Sequence, residues 1–193
     1  REVSVQPAAN DAGASLGAAL YVYHCLHGGK RGYVLDSAHL GPEHSEEEMR
    51  QAAGASGLPV QEMPVEDLVP HVAEALAQGK IVGWFRGRAE FGPRALGARS
   101  ILADPRRKEM KDIINLRVKH REPFRPFAPA IPLERCADYF ERGYPSPFML
   151  LVYNVLAHRR DEVPSITHVD GTARVQTVDK RIDPVFHSLV EEF

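Results

Sequence analysis

Twelve of the chain's 24 Lys and Arg residues lie between Arg86 and Arg125, where only five Asp and Glu oppose them. A cationic surplus of that density suits a polyanion such as a nucleoside triphosphate, a phosphoryl substrate or RNA. The bases differ in kind. Arg106, Arg107, Lys108 and Lys111 fill the first turns of an amphipathic helical pattern and read as its solvated face. Arg94 instead follows Glu90-Phe91-Gly92-Pro93, where glycine and proline restrict the backbone. Arg121 and Arg125 sit among Pro123, Phe124, Pro126 and Phe127, close after Lys119. Guanidinium groups on such stiff loops can pair in bidentate fashion with phosphate or carboxylate oxygens. Arg94, Lys119, Arg121 and Arg125 are therefore the first candidates for binding.

A second polar cluster runs from Thr167 to Thr177. Strand alternation puts Thr172, Arg174 and Gln176 on one face, with Ala173, Val175 and Thr177 on the other. His168 and Asp170 lead into that strand. Either this is a polar, solvent-facing strand side, or it is one wall of a site. The sequence has no GxxxxGK[ST] loop, no GxSxG elbow and no HExxH helix. Phosphates would then be bound by side chains rather than by a glycine-rich cradle.

Composition narrows the class. An apolar fraction of 44% and a charged fraction of 26% are ordinary for a globular domain of 193 residues. A net charge of −2 argues against wholesale coating of nucleic acid or of an anionic membrane, so nucleic acid is not the expected partner. No apolar run approaches the ~20 residues that span a bilayer, and no membrane association is expected. Cys25 and Cys136 are too far apart in sequence for a zinc ribbon, and a reducing, cytoplasmic setting is the default. Arg1 rather than Met opens the chain, which reads as a piece of something longer.

The elements that must position these residues are mixed. Val3-Ser4-Val5 reads as a strand and Gln6 to Ser15 as a small-residue loop. Leu16 to Leu26 reads as a buried helix ended by Gly28-Gly29. A short acidic helix starts at Ser45. Leu68, Val69, Val72, Ala73 and Leu76 mark a second helix, with Pro70 near its first turn and Gly79 after it. Strands are predicted at Ile81–Phe85, Arg99–Ala103, Phe127–Ile131, Phe148–Val155 and Thr172–Val178. Asp104-Pro105 reads as the start of a helix with Met110, Ile113, Ile114 and Val118 as its buried stripe. Further helices are predicted at Glu134–Phe140 and Pro184–Glu192. The class is α/β or α+β.

Four segments resemble one family. Gly87-Arg88-Ala89-Glu90-Phe91-Gly92-Pro93-Arg94-Ala95-Leu96-Gly97-Ala98-Arg99-Ser100-Ile101-Leu102 looks like the signature of O-carbamoyltransferases of the NodU/CmcH type. Lys119 to Pro129, His168 to Val178 and Gln6 to Gly13 resemble the same family, in the right order along the chain. Lys119-His120-Arg121 is also similar to the KxR element of YrdC proteins. The resemblance implies an actin-like ATPase-fold domain ending near residue 30. A YrdC-like twisted mixed sheet with flanking helices would occupy residues 31–193, cut short at its C-terminus.

It further implies ATP, Mg2+ and carbamoyl phosphate as ligands, and carbamoyl adenylate as product. The carbamoyl group would pass to a hydroxyl of a sugar, an antibiotic or a nodulation factor. Lys119, Arg121 and Arg174 would be catalytic, with Arg88, Glu90, Arg94, Arg99, Arg125, His168, Asp170, Thr172 and Gln176 binding substrate or ATP. Asp11 resembles the aspartate that binds a divalent metal, iron being one candidate, in the actin-like domain. The same residue could simply cap a helix. The family continues into a further strand and an Asn-Thr-Ser-Phe-Asn segment, which implies that the chain by itself is an incomplete catalyst and works with the rest of its parent. Two other readings remain open: a YrdC-like RNA-binding module and a threonylcarbamoyl-adenylate synthase.

Overall fold

A computed structural model of the chain describes residues 5–193. The strand expected at Val3-Ser4-Val5 therefore falls largely outside the described residues. The architecture is α+β, with three separate two-stranded ladders rather than one continuous sheet. β1 (Val82–Phe85) pairs antiparallel with β2 (Arg99–Leu102), and Trp84 faces Ser100. β3 (Ala130–Pro132) runs parallel to β6 (Gln176–Val178), while β4 (Val152–Asn154) is antiparallel to β5 (Thr172–Arg174). The expected Thr172–Val178 strand is thus broken at Val175, and its halves join different ladders. Side-chain alternation survives the break in part: Ala173 and Val175 are fully buried, whereas Arg174 is half-buried.

Helix α1 (Ala14–Tyr21) continues as a π-helical turn, Val22–Leu26. No residue of either is buried, which corrects the expectation of a core helix: the alanine-rich run has nothing packed over it among the described residues. Its opening 3-10 turn is capped by Asn10, whose side chain accepts from the Ala12 amide; Asp11 beside it is not the cap. Helix α2 (Glu46–Ala55) carries a complete capping box between Ser45 and Glu48. Helix α3 (Val65–Ala77) buries Val72, Ala73 and Leu76, and Pro70 lies within it rather than in its first turn.

The largest departure from expectation is at 104–118. Asp104 does not cap a helix there. Its side chain accepts from the Arg106 amide and guanidinium, closing a turn, and the helix α4 (Met110–Ile113) begins six residues later. It passes into a π-helical turn, Ile114–Val118, whose wider ring count rotates Val118 out to solvent and Asn115 into the core. Helix α5 (Pro184–Glu192) is as predicted, with the Asp183 side chain accepting from Phe186 N.

Two apolar clusters hold these pieces. One gathers Ile131, Cys136, Phe140, Tyr153, Val155, Val163, Ile166, Ala173 and Val175. The other packs α3 and α5 around Trp84 and Val178. No described helix is long and apolar enough to cross a membrane.

Candidate anion-binding site

A cavity of about 400 Å³ opens along the seam between the two clusters. Phe186, Leu189 and Phe193 line it from the α5 side and Ile166 from the other cluster. Its cationic lining comes from three directions: Arg94, Lys111 with Lys119 and Arg121, and Arg174. Lys111, which the helical pattern assigns to a solvated face, instead lines the cavity, a correction to that expectation. Among the described residues, no carboxylate lies within 4.0 Å of any of these five charges, whereas most other arginines have a salt bridge. Arg94 Nε and Arg174 Nε are buried with no hydrogen-bond partner. Burial, reinforced by the neighbouring Arg94 and Arg121 guanidiniums, pushes Arg174 below its ordinary arginine range. Half-buried guanidiniums crowded in this way are costly unless an anion joins them.

Each loop that delivers a cation is held by one internal side chain. Arg94 belongs to the 86–99 loop, which folds around the half-buried Glu90. One carboxylate oxygen accepts from the amides of Leu96 (2.6 Å), Ala98 (2.8 Å) and Arg99 (3.2 Å). Burial pushes the Glu90 carboxyl up, but these amide donations together outweigh it and leave it below the usual carboxylate range. Gly97 is obligatory for a plain reason: its φ is 110°, and a Cβ there would stand 2.6 Å from the Phe186 ring. The Arg99 guanidinium donates to the carbonyls of Arg86, Gly87 and Ala98 and stacks 3.6 Å above the Phe85 ring. Arg88 reaches the Leu40 carbonyl at 3.3 Å. Neither of these two lines the cavity.

The 119–127 loop folds around Asn115, which is fully buried. Its Nδ2 donates to the carbonyls of Pro123 (3.3 Å) and Arg125 (2.9 Å), and its Oδ1 accepts from Arg121 Nε at 2.7 Å. His120, between the two loop cations, has φ 47°, a conformation that His tolerates better than most residues. Arg125 lies outside the lining and pairs with Glu122 at 2.9 Å.

From the third direction, Gln176 Nε2 donates to Leu96 O at 2.7 Å, tying β6 to the 86–99 loop 80 residues earlier. Asp170 accepts from both the amide and hydroxyl of Thr172, which makes the turn into β5. With that hydroxyl proton committed, His168 Nδ1, 3.0 Å from Thr172 Oγ1, is the donor to it. The His168 Nε2 lone pair is then left buried and unpartnered. Burial pushes His168 below its usual range, with Arg174 adding to the effect and Asp170 opposing it. His168, Asp170 and Thr172 shape the turn rather than line the cavity.

Of the residues singled out from the sequence, the cavity thus brings together Arg94, Lys119, Arg121, Arg174 and Gln176. Lys111 and Asn115 were missed: Lys111 was masked by the helical pattern around it, and a lone Asn carries no signal without its partners. Asp11 is exposed, and among the described residues no group of three or more His, Cys, Asp and Glu could hold a metal ion. The described residues alone therefore do not fit a resident metal.

Nodulation protein NolO of Bradyrhizobium diazoefficiens is 42% identical over 198 residues, covering 100% of this chain and 36% of that protein. Nodulation protein NolNO of Sinorhizobium fredii is 41% identical over 197 residues, covering 100% of this chain and 29% of that one. Nodulation protein U of Bradyrhizobium diazoefficiens is 36% identical over 195 residues, with 100% and 32% covered. The chain thus spans about a third of the length of these relatives. Residues 73–193, which hold the whole cationic lining, match the family model described as the carbamoyltransferase C-terminus. The chain accordingly belongs to the carbamoyltransferase C-terminus family.

Proposed function

We propose that this chain is the part of an ATP-dependent O-carbamoyltransferase that binds carbamoyl phosphate and ATP and forms carbamoyl adenylate. One observation carries the reading: the Arg94, Arg121 and Arg174 guanidiniums share a cavity whose one acidic lining residue, Asp104, is paired with Arg106 and Arg107 instead, and two of the three keep a buried, unpartnered Nε. Such a cavity is preorganised for the phosphates of both substrates. Water hydrolyses carbamoyl phosphate, its oxygen replacing the bridging bond that breaks, to give carbamate, phosphate and a proton. A carbamate oxygen then attacks the α-phosphorus of ATP, the bond to the bridging oxygen breaks, and pyrophosphate leaves. Arg174 and Arg121 would offset the charge building on the α-phosphoryl oxygens, with Lys119 and Arg94 on the departing phosphates. Magnesium would enter with the triphosphate as part of the substrate.

On this reading residues 1–30 close an actin-like domain of the parent protein. There Asp11 would help hold a divalent metal, and the carbamoyl group would reach a hydroxyl acceptor. That acceptor would be a sugar, an antibiotic or a nodulation factor, the last in keeping with relatives named as nodulation proteins. An RNA-binding role gains less support, because the cations line a cavity of about 400 Å³ instead of an open face.

The test is carbamoyl-phosphate-dependent exchange of labelled pyrophosphate into ATP. Exchange that disappears on Lys119→Ala or Arg174→Ala supports adenylate formation in this cavity. Binding of ATP and carbamoyl phosphate without any exchange, in the parent protein with magnesium present, would overturn adenylation and leave only anion binding.

A further inference from the structure

We infer that Asn115 is a positioning residue for the anion site, acting through Arg121; the inference rests on the proposed reading of the cavity. A fully buried primary amide has two donors and an acceptor to satisfy. Asn115 commits all three to the 119–127 loop: both hydrogens go to carbonyls at 123 and 125, and its oxygen takes Arg121 Nε. Its backbone carbonyl also accepts from Arg121 N at 3.0 Å. The Phe127 ring lies 4.9 Å beneath the same guanidinium.

The Arg121 plane is therefore clamped along one edge and across one face. Its terminal nitrogens make no hydrogen bond to any described residue and remain for a ligand. Neither Arg94 nor Arg174 has such a clamp, since the Nε of each is unpartnered. The three arginines of the site are thus unequal. Arg121 is the rigid reference against which an anion is registered, while Arg94 and Arg174 have no side-chain partner of their own and gain one only in the anion. The π-helical turn at Ile114–Val118 is what rotates Asn115 inward to do this, in keeping with the frequent placement of such turns at functional sites.

The probe is ATP with magnesium, titrated calorimetrically into the parent protein and its variants alongside their melting temperatures. Asn115→Ala should weaken ATP binding about tenfold, the effect of losing a hydrogen bond to a charged group. In an Arg121→Ala background the same substitution should cost less than about twofold more, because the group it acts through is gone. Arg121→Lys keeps the charge and leaves the Asn115 side chain intact. It should lose nearly as much affinity as Arg121→Ala, since an ammonium cannot be clamped at Nε.

Independent, multiplicative losses from Asn115→Ala and Arg121→Ala would overturn the inference. So would wild-type affinity in Arg121→Lys, which is decisive even if Asn115→Ala fails to fold. Absence of ATP binding by the unsubstituted parent protein would instead remove the reading beneath it, and the inference with it.

Discussion

The 86–99 and 119–127 loops both present cations to the same cavity, yet they are built around opposite polar groups. The first wraps its amides around the charged acceptor Glu90; the second hangs its carbonyls and one guanidinium on the neutral amide of Asn115. The contrast shows how a site can be rich in positive charge without a neutralising carboxylate. Glu90 is negative, but its charge is spent on three backbone amides instead of on Arg94. Asn115 braces the second loop without introducing a negative charge at all. A carboxylate at 115 would have paired with Arg121 and taken it away from any ligand.

Glu90→Ala should produce the largest effect. It strands three amides and should cost about 3 kcal/mol of stability, measured by denaturant unfolding. An equal loss in Asn115→Ala would erase the distinction between a charged and a neutral brace, because only Glu90 concentrates three bonds on one oxygen.

Acid titration should sharpen the same contrast. A carboxyl held below its ordinary range contributes stability that is complete above the unfolded value, near 4.5, and is lost as the pH falls through the folded value. Stability should therefore drop below about pH 4.5, and the Glu90→Gln share of that drop should vanish. A Glu90→Gln protein with an unchanged acid limb would mean that the loop does not depend on the charge.

A smaller and opposite effect is expected from Arg174→Ala. Removing one of three mutually repelling guanidiniums should leave the ligand-free melting temperature unchanged or raise stability by about 0.5–1 kcal/mol. The rise in melting temperature that saturating ATP gives the parent chain should disappear. Marked destabilisation without ligand would show that Arg174 belongs to the scaffold. Arg125→Ala should do least, within about 0.5 kcal/mol, since its exposed pair with Glu122 is well solvated.

Residue type and local restriction made part of the site legible in advance. Arg94, Lys119 and Arg121 could be picked out because bases on loops stiffened by Gly, Pro and Phe are hard to explain as surface, and Arg174 because it shares a strand face with Gln176. What sequence could not reveal was the partner of each polar group. Glu90 and Arg99 looked equally suited to ligand, but one is consumed by amides six to nine residues away and the other by three carbonyls and an aromatic ring. Helix α5 was predictable because Asp183-Pro184 is a cap followed by proline at the first helical position. The same logic failed at Asp104-Pro105, where two arginines compete for the carboxylate and close a turn first. The α1 run looked like core on hydrophobicity alone, which says nothing of whether a neighbour is there to cover it.

The break at Val175 has a mechanical consequence. Val175 N bonds to Leu151 O and Gln176 N to Pro129 O, so two successive residues are stitched to different ladders. The six residues of β5 and β6 thereby act as a rivet through both apolar clusters, and neither cluster can open without pulling on the other. The amides from Thr172 to Val178 should accordingly exchange with solvent deuterium last and at a common rate, and the two halves of the domain should melt as one cooperative unit.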